Sequence, residues 1–345
     1  LAQIWCEVLG LARVGVWDNF FQIGGNSLLA VRIMARMEKR FDTDLSLSML
    51  FTAQNVAELA QLVARQVNPE SWSPLVLIKE AKLAQGEAPL PPLYLIHPVG
   101  GTLLCYHALV EALSQREPKR AVYGLQCSGL EPNQAVLNRF EIMAGYYIEA
   151  IKLREKQSEQ SPGPYYLVGQ SLGGNIAWEM AQQLKAQHRE VAFVGLIDTF
   201  VPDKIPLHFR QQTSLSLLKE QMGRSLDLDW DALKHVSLQQ QIERFYYAAQ
   251  EKGLVSAELS LDQVQRIAHV MKANTEALLA YQAQACSVPV VHVGASENKN
   301  GDSSVGWGEL ATELYLSYSL TASHDGILQG ACAAQLAELL DLSRI

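Results

Sequence analysis

The chain has 345 residues, 48% hydrophobic and 19% charged, which is apolar material for more than one globular core. A formal net charge of −8 and the lack of any basic cluster weigh against nucleic acid as a partner. No apolar run reaches the ~18 residues of a membrane span. The five scattered cysteines (Cys6, Cys105, Cys127, Cys286 and Cys332) contain no CxxC, which argues against zinc or a disulfide framework and for a reducing, cytoplasmic compartment.

The chain opens directly in a helical pattern, without a signal peptide or initiator methionine, and reads as a piece of a longer polypeptide. Leu1 to Val67 reads as a small helical domain. Ile4, Trp5, Val8 and Leu9 line one helix, and Leu28 to Phe41 carries apolar residues at helical spacing. Val56 to Val67 forms a third helix, with Asn55 and Glu58 in capping-box positions. Asn68 to Pro92 is rich in proline and has the character of a linker, within which Leu75–Ile78 fits a short strand of the following domain.

From Leu93 onward strand and helix patterns alternate. The strands are expected at Leu93–His97, Ala121–Leu125, Tyr165–Gly169, Ala192–Asp198 and Val288–Val293. The helices are expected at Cys105–Leu113, Ile142–Arg154, Asn175–Leu184 and Ala331–Leu340. This order predicts a mostly parallel sheet covered by helices. Between about Pro202 and Ala285 the alternation stops, and helical runs at Leu215–Met222, Leu238–Gln250 and Leu261–Tyr281 replace it. An insertion of this length at the C-terminal end of a strand reads as a lid beside the ligand crevice.

The strongest chemical signal is Gly169-Gln170-Ser171-Leu172-Gly173-Gly174, set between an apolar run and a helical run. A G-x-S-x-G turn between strand and helix holds its serine in a sharp, exposed bend, the arrangement of an α/β-hydrolase nucleophile, so Ser171 is expected to form acyl-enzymes. In that fold the acid and then the base follow the serine in the chain. His324, in a small polar loop ahead of the last helix, is the expected base. Asp198, at the C-terminal end of a buried strand, is the expected acid. Glu297 and Asp302 compete for that role from a solvated loop, which favours Asp198. The oxyanion donors are expected to be the backbone N–H groups of Leu172 and of Val99, with Gly100 as the alternative to Val99. No residue pattern calls for a metal.

A second signal lies at Asp18 to Leu28, where an aromatic pair and two glycines lead to Ser27 at the start of a helix. On physical grounds Ser27 fits a helix cap and a phosphate-ester attachment site about equally, since both use the free N–H groups there. The Asp18–Leu28 stretch, with its Gly-Gly-Asn-Ser-Leu core and the helix after it, resembles the attachment motif of peptidyl carrier domains in nonribosomal peptide synthetases. His97-Pro98-Val99-Gly100-Gly101, the Ser171 turn and the placing of Asp198 resemble the terminal type I thioesterases of the same assemblies.

The resemblance implies a small all-α carrier domain (a helical bundle) over residues 1–68, a linker over 69–90, and an α/β-hydrolase domain over 91–345 with a helical lid at about 203–285. It implies covalent 4′-phosphopantetheine on Ser27, supplied by a phosphopantetheinyl transferase, and upstream synthetase modules as partners. It implies release of an acyl or peptidyl chain through Ser171, Asp198 and His324, by hydrolysis or macrocyclisation. An editing hydrolase that clears stalled chains, or a non-catalytic docking module, is the alternative.

Overall fold

The computed structural model describes residues 1–25, 27–41, 45, 49–64, 72–131, 134–158, 163–213, 215–217, 226, 228–233, 235–252, 260–296 and 305–340. The chain forms two compact units. One comprises Leu1–Trp72, Gly129–Ala135 and Gln211–Lys272; the other comprises Ser73–Ser128, Val136–Arg210 and Ala273–Ile345.

In the first unit, helices α1 (Ala2–Leu9), α2 (Ser27–Phe41), α3 (Met49–Thr52) and α4 (Val56–Ala64) form the N-terminal bundle. Its core is built on Trp5 and Phe20, both fully buried, whose rings meet edge to face at 5.2 Å. The segment before α2 is tied to α4 and its entry by Phe20 N–H to Gln54 O (2.7 Å) and Ala57 N–H to Val16 O (2.9 Å). Asn55 caps α4 by accepting from the Glu58 N–H at 2.9 Å. The Glu58 carboxylate reaches back to the Gln54 N–H (3.2 Å), one residue earlier than the capping box the sequence suggests.

The same unit holds most of the insertion. Its helices are α9 (Trp230–Leu233), α10 (Leu238–Glu251) and the first part of α11 (Leu261–Ala280), and α10 starts with a complete Ser237/Gln240 capping box. Of the helix expected at Leu215–Met222, residues 215–217 are helical and 218–222 lie outside the described residues. Gln263 Nε2 donates to Glu38 Oε2 of α2 at 3.1 Å.

The second unit is a seven-stranded sheet with helices packed on it. In chain order its strands are β1 (Leu75–Lys79), β2 (Leu90–Ile96), β3 (Arg120–Leu125), β4 (Tyr165–Gln170), β5 (Val191–Ile197), β6 (Val290–Ala295) and β7 (Tyr315–Leu320). They lie in the order β1-β3-β2-β4-β5-β6-β7, with only β1 antiparallel to its neighbour. The helices are α5 (His107–Arg116), α6 (Phe140–Ser158), α7 (Leu172–Ala186), α8 (Leu207–Arg210), α12 (Trp307–Leu310) and α13 (Gly330–Leu339). The core joins Tyr94, Leu167 and Val194 of the central strands to Tyr147 of α6, Trp178 of α7 and Trp307 of α12. Both indoles also bond to backbone, Trp178 Nε1 to Gln284 O (2.9 Å) and Trp307 Nε1 to Thr199 O (2.8 Å), so neither N–H is buried without an acceptor.

β1 is the short strand expected at Leu75–Ile78 within the connecting segment, and it joins the sheet of the second unit. β7 was not anticipated. Its outer residues Ser317, Tyr318 and Ser319 are exposed and only Leu320 is buried, so it lacks the apolar run that marks the central strands. Among the described residues no helix is long and apolar enough to cross a membrane.

Candidate active site

The site lies at the C-terminal ends of the central strands. Ser171 sits between β4 and α7 with φ 54° and ψ −126°, a left-handed conformation costly for any residue with a Cβ. The turn closes because glycines flank it. A Cβ on Gly169 would run into the backbone of Gly173, and one on Gly173 would meet the carbonyl oxygens of Ile96 and His97, the latter at 2.7 Å. Three further bonds pin the turn. Ser171 N–H donates to Ile197 O of β5 (2.8 Å), Gln170 N–H donates to the Tyr106 hydroxyl (2.8 Å), and that hydroxyl donates to Ile96 O of β2 (2.7 Å).

Asp198 follows β5 directly and is 3% exposed. Its backbone also has positive φ (42°) and is held by Asp198 N–H to Val293 O at 2.8 Å. The carboxylate accepts from the Ala295 N–H on Oδ1 (2.9 Å) and from His324 Nδ1 on Oδ2 (2.6 Å). Since a carboxylate only accepts, Nδ1 carries the proton, which leaves Nε2 as the basic nitrogen of the neutral ring. His324 is about one-third exposed and lies 6.1 Å, centroid to centroid, from the Phe209 ring of α8.

Gln170 Nε2 donates to the backbone oxygen of His324 at 2.8 Å. The residue before Ser171 therefore holds the residue paired with Asp198. Of the three residues expected to act together, Asp198 and His324 bond directly, and Gln170, the residue before Ser171, bonds to the His324 backbone. Among the described residues the Ser171 hydroxyl makes no hydrogen bond. The competing acids Glu297 and Asp302 lie outside the described residues.

The N–H groups of Val99 and Leu172 are, among the described residues, not spent on backbone carbonyls. Leu172 is the first residue of α7, where helix geometry leaves the N–H without an intrahelical acceptor. His97 is fully buried, and desolvation holds its pKa down to about 4, so it is neutral at physiological pH. Burial pushes the Cys127 thiol up to about 12, which leaves it protonated and a poor nucleophile.

Tyr106 and Gln170 are the residues of this site that sequence reasoning passed over. Gln170 left a faint signal, as a polar residue in the buried end of an apolar strand. Tyr106 left none, because its contacts are to residues far away in the chain.

In the N-terminal bundle, Ser27 is the first residue of α2, and the first turn of that helix contains no acidic residue. Its side chain falls outside the described residues, as does Asn26. The N-terminal end of a helix, where the dipole is positive, suits a phosphate ester.

Comparison with known families agrees with this geometry. Residues 91–290 match the thioesterase domain model, more than half of the chain, and residues 1–63 match the phosphopantetheine attachment site model. The chain belongs to the thioesterase domain family. It is a carrier–thioesterase didomain of the nonribosomal peptide synthetase type, and its attachment domain implies covalently bound 4′-phosphopantetheine.

Among its relatives, malpinin synthetase of Mortierella alpina is 42% identical over 201 residues, which are 58% of this chain and 2% of that protein. The dimodular nonribosomal peptide synthase of Bacillus subtilis is 35% identical over 207 residues, 60% of this chain and 8% of that protein. The chain thus spans a small fraction of the length of these relatives. A solved four-domain nonribosomal peptide synthetase, in its holo form with AMP and glycine, aligns with a TM-score of 0.68 at 27% identity, covering 99% of this chain and 25% of that one. The Vlm2 thioesterase domain aligns at 0.54 and 20% identity, covering 77% of this chain and 96% of that one, and shows the shared fold.

Proposed function

We propose that the chain releases an acyl or peptidyl product from an assembly line through an acyl-enzyme on Ser171, with residues 1–68 as the carrier, 69–90 as the connection and 91–345 as the thioesterase. The observation that supports this reading is the Asp198–His324 bond, with His324 bonded at its backbone to Gln170, the residue before the strained Ser171. In this reading phosphopantetheine is carried on Ser27 and, when bound, supplies the thiol that holds the chain as a thioester, whose carbonyl is the electrophile.

His324 Nε2 takes the Ser171 Oγ proton as Oγ adds to that carbonyl. The N–H groups of Leu172 and Val99 receive the developing oxyanion, and Asp198 stabilises the imidazolium. The C–S bond then breaks, His324 returns the proton to the departing sulfur, and the acyl group remains on Oγ. Water, or a hydroxyl or amine within the chain being released, attacks next with His324 again taking the proton; the bond from the acyl carbon to Oγ then breaks, His324 returns the proton to Ser171 Oγ, and an acid or a macrocycle is released. The helical insertion at about 203–285 is the lid whose shape and exclusion of water choose between them. A phosphopantetheinyl transferase and upstream synthetase modules are the partners this scheme requires, and the five free cysteines fit a reducing cytoplasm.

The test is intact mass spectrometry after loading the apo didomain from an acyl-coenzyme A through a phosphopantetheinyl transferase, which transfers the acyl-phosphopantetheine to Ser27 with loss of the adenosine bisphosphate. The wild type, Ser171→Ala and Ser27→Ala are compared, and the released small molecule is analysed. Loading of the wild type and Ser171→Ala but not of Ser27→Ala, with loss of the acyl group from the wild type alone, supports the scheme. An acyl group equally stable on the wild type and Ser171→Ala across a panel of chains overturns it in favour of a docking role.

A further inference from the structure

The loop after β2, His97 to Gly101, is bonded at both peptide units that meet at Val99. The Pro98 carbonyl accepts from His97 Nδ1 at 2.8 Å and from the Gly101 N–H at 2.9 Å. Because a carbonyl only accepts, His97 Nδ1 carries the proton and Nε2 is an acceptor, filled by the Tyr147 hydroxyl at 2.6 Å. Tyr147, on α6, and His97 are both fully buried, so solvent does not compete for either bond. The Val99 carbonyl accepts from Asn274 Nδ2 of α11 at 2.9 Å, and Asn274 is also fully buried.

A peptide unit is planar, with its C=O and N–H pointing in opposite directions. Fixing the Pro98 carbonyl therefore fixes the direction of the Val99 N–H, and fixing the Val99 carbonyl removes rotation on the other side of the same residue. We infer that Tyr147, His97 and Asn274 are positioning residues that aim the Val99 N–H at the oxyanion, acting through the backbone. The inference rests on the reading of Val99 as an oxyanion donor. A donor aimed in advance acts on charge that develops only in the transition state, so a misaimed one lowers the rate of the chemical step and leaves ground-state binding in place.

The test uses the holo didomain and a fluorophosphonate–rhodamine probe, which phosphonylates the active serine with loss of fluoride and needs no knowledge of the natural acyl chain. The maximal labelling rate, the probe concentration at half-maximal rate and the fraction of protein labelled are measured separately. Tyr147→Phe and Asn274→Leu are each expected to slow the maximal rate by about 10-fold, with half-saturation and labelled fraction unchanged. Replacing the Val99 amide by an ester, which deletes the N–H and keeps the side chain, is expected to slow it ~100-fold.

If the ester slows labelling while folded Tyr147→Phe keeps the wild-type rate, the positioning role is overturned and Val99 remains the donor. An ester that labels at the wild-type rate removes Val99 from the oxyanion hole and the inference with it. A variant that lowers only the labelled fraction marks a purely structural role. Should Asn274→Leu fail to fold, Tyr147→Phe, which deletes a single oxygen, decides the matter alone.

Discussion

The centre of the sheet and its edge hold the proposed active site in different ways. At the centre, Ser171 and Asp198 are fixed by backbone: each follows a buried strand, each has positive φ, and each N–H is bonded to a neighbouring strand at 2.8 Å. Burial and hydrogen bonding together over-determine these strained positions, which is how such backbone survives. At the edge, β7 is largely exposed, and the loop after it carries His324. The Asp198 carboxylate and the Gln170 amide tie that histidine to the centre. The nucleophile and the acid are thus placed by the fold, whereas the base is placed by side chains. A single substitution should therefore move the base far more readily than the other two.

The sharpest test of this contrast is Asp198→Asn. The change preserves shape but removes the charge that holds the Nδ1–H tautomer and stabilises the imidazolium. The rate of acyl transfer to Ser171 is expected to fall on the order of 10⁴-fold with little loss of fold. Glu297→Gln, measured beside it by the same single-turnover assay, is expected to stay within about twofold of wild type. The opposite pattern would move the acid to the later loop.

The next largest effect concerns the centre, where His97 is buried as a neutral group. Its folded pKa of about 4 lies below the ordinary 6.5. As pH falls through 6.5 the unfolded chain takes up a proton that the folded protein refuses, so stability is full above that pH and drains away towards 4. At ~1.4 kcal/mol per pH unit this amounts to about 3 kcal/mol. Urea melts of the wild type should lose that much more between pH 6.5 and 4 than melts of His97→Gln. Parallel curves for the two proteins would show that His97 titrates normally.

Gly173→Ala probes the packing that makes the turn. The new Cβ would meet the backbone oxygens of Ile96 and His97, which cannot swing away as a flexible side chain can. A loss of about 2 kcal/mol is expected, read as a lower urea midpoint at unchanged slope. A midpoint equal to wild type would mean that the turn has room the geometry denies it.

The same division explains what the sequence reveals. Ser171 and Asp198 could be read because a buried parallel strand is a continuous apolar run, and because glycines must flank a turn this tight. His324 could be read as a polar-loop residue before the last helix, but the strand leading to it could not. Tyr315–Leu320 alternates serine with apolar residues on an exposed edge, and its pairing with β6 is a long-range fact. The helical character of the insertion was legible from periodicity. Its grouping with the N-terminal helices was not, since nothing local records which residue will face Gln263. Ser27 needed family resemblance, because a cap and an attachment site look alike at the start of a helix. Tyr106, Tyr147 and Asn274 are ordinary helix residues until folding brings them to β2, β4 and the loop after β2.

The smallest effect is the most specific to the edge. Gln170→Leu keeps the volume and burial of the side chain but removes its bond to the His324 carbonyl. The Asp198–His324 bond remains, so the imidazole is still oriented about Nδ1 while its loop is freed at the backbone. Because the nucleophile and acid are held by other bonds, the loss should fall on alignment of the base alone: about a 10-fold lower acylation rate, worth ~1.4 kcal/mol, with substrate KM unchanged. Tying the loop another way should restore the rate, and Gln170→Glu, which cannot donate when ionised, should not. If Gln170→Leu acylates at the wild-type rate, the Asp198 bond alone suffices to place the base, and the edge of the sheet is held as firmly as its centre.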